Sequence, residues 1–287
     1  MIDSDHFLDF LCIGAARSGT TWLASCLDQH PQVFLPHNKE VHFFSTTRYY
    51  PIDFKYARGI DFYRSFFSGA APGSLLGEIS PLYYADLNAA YRIANHFPDT
   101  RIIVLLRNPA DMLFSWYHKR CQFEIRADTF EEELMRSPNI LNLGYYATHL
   151  VHYFDVFPPD QLHFEIYESL FADSAAGLRR ILSFLEIDDS FSPHNVQDAV
   201  NAYSPPPSRL VRRAKRAIWS VLAQPWAHPV KDILHKLRIN RVNYQTNSGS
   251  ESNSNCRPEL QPETRQQLIT RFNADISRLE DLISRDL

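Results

Sequence analysis

The chain has 287 residues, and at about 150 residues per domain that makes one large domain or two small ones. It is 45% hydrophobic, 22% charged and carries a net charge of −4, which excludes a disordered chain and a chain-wide basic footprint for nucleic acid. With 18 Pro and 9 Gly it is neither collagen-like nor of low complexity. The first residues, Met1 to His6, carry acids where a signal peptide needs basic side chains. No run approaches the ~18 apolar residues of a membrane span, so a cytoplasmic protein is expected. Phe7 to Ile13 reads as a short buried strand that stops at Gly14, and a helix follows from Thr20 through Trp22, Leu23, Cys26 and Leu27. His30-Pro31 ends that helix, because the residue before proline avoids helical geometry. Helices are predicted at Leu87 to His96, Phe130 to Met135, Tyr146 to Phe157 and Ala175 to Leu185, with strands at Arg101 to Leu106 and Leu162 to Tyr167. Pro109 stands near the first turn of another helix that runs towards Cys121.

Apolar strands alternating with helices predict an α/β fold, a parallel sheet flanked by helices on both faces, and ligands on such sheets bind at the strands' carboxyl ends. Residues 203–256 differ in character, from Pro205-Pro206-Pro207 through a basic stretch to a Ser/Asn-rich loop, and helical spacing returns over Pro262 to Ile283. The whole is read as a single domain, 1–287, with 203–256 a variable segment. Cys12, Cys26, Cys121 and Cys256 have no C-x-x-C spacing, which argues against a zinc ribbon or redox pair and fits small buried thiols.

Residues 14–21, Gly-Ala-Ala-Arg-Ser-Gly-Thr-Thr, hold two glycines five apart in the frame of a phosphate-binding loop. Such a turn points backbone N–H groups inward, and the helix N-terminus behind it adds about half a positive charge. Where a nucleoside triphosphatase has Lys this chain has Thr20, and the cation is instead Arg17 inside the loop. Hydrolysis of Mg-ATP is therefore disfavoured against a less highly charged 5′-anion, and no metal is expected. Arg107 follows the Arg101–Leu106 strand, where a guanidinium suits phosphate oxygens. Ser115 comes eight residues later, inside a helix where a serine alone often only bonds back to the preceding turn.

GAARSGTTWL resembles the 5′-phosphosulfate loop of sulfotransferases that use 3′-phosphoadenosine 5′-phosphosulfate (PAPS), and the Arg107…Ser115 pair resembles their 3′-phosphate site. Many members have Lys at the place of Arg17. The resemblance implies a P-loop-like fold, PAPS as sulfuryl donor held by Arg17, Ser18, Gly19, Thr20 and Thr21, and Trp22 beside the adenine. Tyr167-Glu168 resembles the family's Tyr-Glu pair, whose Tyr approaches the adenine; Gly144-Tyr-Tyr146 and Phe157-Pro-Pro-Asp-Gln-Leu162 are similar to further family segments. Lys39-Glu40-Val41-His42-Phe43-Phe44 is similar to the Glu-Val-His-Phe-Phe stretch of heparan-type glycan sulfotransferases, where the Glu is the base. That makes Glu40 the expected base, with His42 assisting and Lys39 near the acceptor or sulfuryl group. Glu78 is a further candidate for the acceptor cleft.

The acceptor, a carbohydrate or small-molecule hydroxyl, is not legible. Aromatics between Phe43 and Phe67 read either as a binding wall or as core. The nine Lys and Arg between Arg209 and Arg241 against one acid suit a core-capping helix, a cation-rich rim, or peripheral membrane contact through 209–222. Two rival readings are a P-loop nucleoside or nucleotide kinase and a non-catalytic nucleotide-binding module.

Overall fold

A computed structural model describes residues 7–37, 40–46, 55–121, 127–197 and 259–283. Its centre is a five-stranded sheet in the order β2-β3-β1-β4-β5, parallel throughout: β1 is Phe10–Gly14, β2 Val33–Phe34, β3 Leu75–Ile79, β4 Arg101–Leu106 and β5 Leu162–Ile166. The expected strands are all present. Two more, β2 and β3, were not foreseen: β2 has two residues, and β3 (LLGEI) carries a glycine and a charge where a buried strand normally reads apolar. Both departures are accommodated locally. Gly77 pairs with Phe10, and a Cβ there would lie 2.0 Å from the Phe10 ring. Glu78 is buried, and three hydroxyls satisfy it.

Side chains alternate between two cores, as the period of a strand requires. Leu11, Ile13, Ile102, Val104 and Leu106 face one core, with α3 (Ala89–His96), α4 (Pro109–Cys121), α6 (Tyr146–Val156) and α9 (Pro262–Ile283). Phe10, Cys12, Ile103 and Leu105 face the other, with α1 (Thr20–Leu27) and α8 (Ser174–Phe184). Shorter helices are α2 (Ile60–Arg64), α5 (Phe130–Arg136) and α7 (Tyr167–Ala172). Tyr167, expected to close the last strand, opens α7 instead, because β5 stops at Ile166.

α9 is bound to the rest by specific contacts. Arg265 donates to Asp111 of α4 at 2.8 Å, and Asp275 accepts from the Ala147 and Thr148 amides at the start of α6 at 2.8 and 3.0 Å. The orphan N–H groups of a helix start are thereby satisfied from a distant part of the chain.

Candidate active site

β1 and β4 are neighbours in the middle of the sheet, so the loops leaving their carboxyl ends meet. After β1, the Ala15 amide donates to Leu105 O of β4 at 2.6 Å, and the Ser18 amide returns to Ala15 O at 3.2 Å, closing a tight turn. Gly19 caps α1 at φ 97°, and a Cβ there would lie 2.9 Å from the Phe171 ring, so only glycine suits this corner. Arg17 is also left-handed, at φ 67°, an uncommon conformation for a side-chain-bearing residue. Its Nε donates to Ser115 Oγ on α4 at 3.1 Å.

Arg107 is held on three sides. Its Nη1 donates to the Arg17 carbonyl at 3.2 Å, its guanidinium lies 4.4 Å from the centre of the Tyr167 ring, and its own carbonyl accepts from the Tyr146 hydroxyl at 3.0 Å. Burial, with Glu168 adding to it, raises the Tyr146 pKa, so this phenol stays a donor. Tyr167 packs against Phe171 with tilted rings 4.5 Å apart, and Phe171 meets Trp22 edge-on at 5.3 Å. Trp22 is buried, with its indole N–H on Val196 O at 3.0 Å. Thr20 and Thr21 open α1 just behind the loop. Two segments ninety-eight residues apart thus form one cationic corner at a helix start. Within it Ser18 Oγ and Arg107 Nε are buried without a hydrogen-bond partner among the described residues.

A second group stands at the end of β3. Glu40 Oε2 lies 3.1 Å from His42 Nε2; the Glu40 side chain is 38% exposed and that of His42 10%. The His42 amide donates to Ser80 Oγ at 3.1 Å and the Phe44 amide to Tyr83 Oη at 3.2 Å. The turn that supplies those hydroxyls also abuts the first loop: a Cβ on Gly14 would lie 2.4 Å from the Tyr84 ring and 3.0 Å from Pro81 O. Both groups therefore adjoin one turn at the carboxyl edge of the sheet.

Several expectations resolve here. Phe43, Phe44, Tyr63 and Phe67 are core residues and not a binding wall. Glu78 does not line a cleft; it is fully buried beneath the 42–44 segment. Burial raises its pKa, opposed by the Ser80, Tyr63 and Tyr83 hydroxyls and by His42. Cys12, Cys26 and Cys121 are buried thiols, and burial pushes that of Cys26 up to about 12. Lys39, Cys256 and the basic stretch 209–241, with its suggested membrane contact through 209–222, lie outside the described residues. Sequence reading missed the roles of Ser80, Tyr83 and Phe171. It noted Tyr146 only within a motif, because a tyrosine that orients a carbonyl looks like any other helix aromatic. No helix among the described residues is long and apolar enough to cross a membrane.

An all-parallel P-loop-like sheet that gathers two arginines and a helix start at its carboxyl edge is a frame suited to anionic ligands, and comparison with known proteins narrows the class. The family profile described as "Sulfotransferase domain" matches residues 8–204, and the chain belongs to that family. It is 31% identical over 211 residues to the mouse bifunctional heparan sulfate N-deacetylase/N-sulfotransferase 3, covering 66% of this chain and 23% of that protein. Human heparan sulfate glucosamine 3-O-sulfotransferase 6 is 30% identical over 188 residues, covering 63% of this chain and 52% of that protein. The chain thus spans about a quarter to a half of the length of these curated relatives. A sulfotransferase from Alicyclobacillus acidocaldarius superimposes with a TM-score of 0.70 at 25% identity, over 98% of this chain and 97% of that one.

Proposed function

We propose that the protein transfers a sulfuryl group from PAPS to the hydroxyl of a carbohydrate or small-molecule acceptor. The observation that carries this is the Arg17–Ser115–Arg107 cluster, in which the phosphate-loop cation and the strand-end arginine share one corner. The donor fits the residues present: the buried Ser18 Oγ and Arg107 Nε have no partner among the described residues and are of the type that bonds phosphate oxygens. When bound, PAPS supplies an activated sulfuryl group on a phosphosulfate anhydride.

Every other task falls to the chain's own side chains. Arg107 and Ser115 bind the 3′-phosphate, and the loop amides with Thr20 and Thr21 bind the 5′-phosphate. Arg17 stabilises negative charge on the departing side. Tyr167, with a face already occupied by the Arg107 guanidinium, borders the adenine, and Trp22 packs behind Phe171. Glu40 takes the acceptor's proton, and His42, hydrogen-bonded to it, fixes the carboxylate's direction and shares the proton. Lys39, which lies outside the described residues, is assigned to the acceptor or the sulfuryl group from the resemblance of its stretch to the heparan-type enzymes alone. The heparan sulfate relatives favour a glycan acceptor. Cys12, Cys26 and Cys121 sit in the core as small buried thiols, which suits a reducing compartment and supports a cytoplasmic location.

Calorimetry tests the donor site. Arg107→Ala should weaken adenosine 3′,5′-bisphosphate by about 2 kcal/mol or more, as charge-assisted bonds go, and barely change adenosine 5′-phosphosulfate, which lacks the 3′-phosphate. Equal losses for both ligands would overturn the assignment.

A further inference from the structure

The segment that carries Glu40 and His42 has no regular secondary structure, yet Val41, Phe43 and Phe44 are fully buried. Buried backbone amides need partners, and here those partners are side chains. The His42 amide uses Ser80 Oγ and the Phe44 amide uses Tyr83 Oη. A hydroxyl accepts well from an amide when its own hydrogen points elsewhere. Both hydrogens point to one atom: Ser80 and Tyr83 each donate to Glu78 Oε1, Tyr83 at 2.9 Å. Tyr63 donates to the other oxygen, Oε2, at 2.7 Å. An ionised carboxylate only accepts, so three hydroxyl donors converging on it is a satisfied arrangement. The network is anchored in the sheet. Glu78 belongs to β3, paired with Leu11 of β1, and the Ser80 amide donates to Cys12 O at 3.0 Å.

We propose that Glu78 is the positioning residue of the active site: its buried carboxylate turns the Ser80 and Tyr83 hydroxyls into acceptors that hold the 42–44 backbone, and through it the Glu40–His42 pair. The proposal rests on the sulfotransferase reading for its catalytic consequence, but the anchoring itself is independent of it. A carboxylate retained for stability alone has a simple alternative, since an apolar side chain of the same size is often as stable in such a place. What an apolar replacement does not supply is the acceptor that orients two hydroxyls.

The test uses the full chain and three kinds of variant. Glu78→Met keeps the volume and removes both acceptor oxygens, whereas Glu78→Gln keeps one carbonyl oxygen for Ser80 and Tyr83. In Glu78→Met, hydrogen exchange at the His42 and Phe44 amides should quicken by about tenfold, the equivalent of a weakened hydrogen bond, with β1 and α1 unchanged. Sulfuryl transfer from labelled PAPS should lose about 10²-fold in kcat, as small misplacements of a reacting group do, at unchanged affinity for adenosine 3′,5′-bisphosphate. Glu78→Gln should recover most of both losses. If Glu78→Met does not fold, Ser80→Ala should free the His42 amide and leave that of Phe44, and Tyr83→Phe the reverse. Unchanged exchange at these amides in the folded variants, or quickening spread evenly over the sheet, overturns the proposal. A wild-type chain that transfers sulfuryl to no acceptor sinks the functional reading instead, and the exchange data still decide the role of Glu78.

Discussion

Glu40 and His42 set an exposed carboxylate 3.1 Å from a nearly enclosed imidazole. In the proposed reaction the half-open Glu40 meets an incoming hydroxyl; the His42 ring is bounded by Glu40 and, edge-on at 6.1 Å, by the Tyr83 ring. Glu40→Gln keeps the shape but accepts no proton, so kcat should fall by about 10²–10⁴-fold. Affinity for adenosine 3′,5′-bisphosphate should stay within about 0.5 kcal/mol, because the anion-binding corner is untouched. His42→Ala should cost less. Kinetics on an alcohol acceptor decide this, since a phenol already partly ionised masks the need for a base. Near-normal kcat in Glu40→Gln together with inactivity in His42→Ala would transfer the role to the histidine. The residues of this corner were legible because their types and spacings are unusual together: Arg17 between two glycines, and Arg107 eight residues before Ser115. Glu78 was not. A lone acid followed by Ile, Ser and Pro reads the same in a cleft as in a core, and Tyr63, which partners it, stands fifteen residues earlier.

Among the elements, β5 and α8 carry a test that depends on acidity. Glu165 is buried on β5, and burial alone would raise its pKa. Bonds from Arg180 at 2.7 and 2.8 Å and from His163 at 3.0 Å override this and bring it from 4.5 to about 2. A depressed folded-state pKa adds stability above the unfolded value and loses it as pH falls through the folded one. Denaturant midpoints should therefore decline between about pH 5 and pH 2, and Glu165→Gln should flatten that decline. An unchanged pH profile in the variant would show that the pair contributes nothing. The junction of α9 with α6 predicts a second effect: Asp275→Ala strips the acceptor from two amides and should cost about 1 kcal/mol, read from urea unfolding. The long helices were legible because their periodicity runs for many residues, and β4 because its apolar run is unbroken. β3 was not, because Gly77 and Glu78 break the apolar run for reasons that lie on Phe10 and on three hydroxyls elsewhere in the chain.

At the scale of the molecule, the parallel order β2-β3-β1-β4-β5 brings β3, β1 and β4 side by side, so one edge collects the Glu40–His42 segment, the Gly14–Gly19 loop and the Arg107–Ser115 pair. The sequence announced the last two through motifs. Their meeting at 3.1 Å, and the turn at Ser80–Tyr84 that adjoins both the loop and the 42–44 segment, came only with the fold. Acceptor choice was not legible: of the aromatics that suggested a binding wall, Phe43, Phe44, Tyr63 and Phe67 are spent on the core, and Tyr49, Tyr50 and Phe54 lie outside the described residues. The most direct test of the account is transfer of labelled sulfuryl from PAPS to an alcohol, measured in EDTA and again with Mg²⁺ and ATP. Steady transfer in EDTA, with no phosphate released from ATP, is the predicted result. Activity that collapses on chelation and returns with Mg²⁺, or phosphoryl transfer from ATP in place of sulfuryl transfer, would contradict it and favour a kinase.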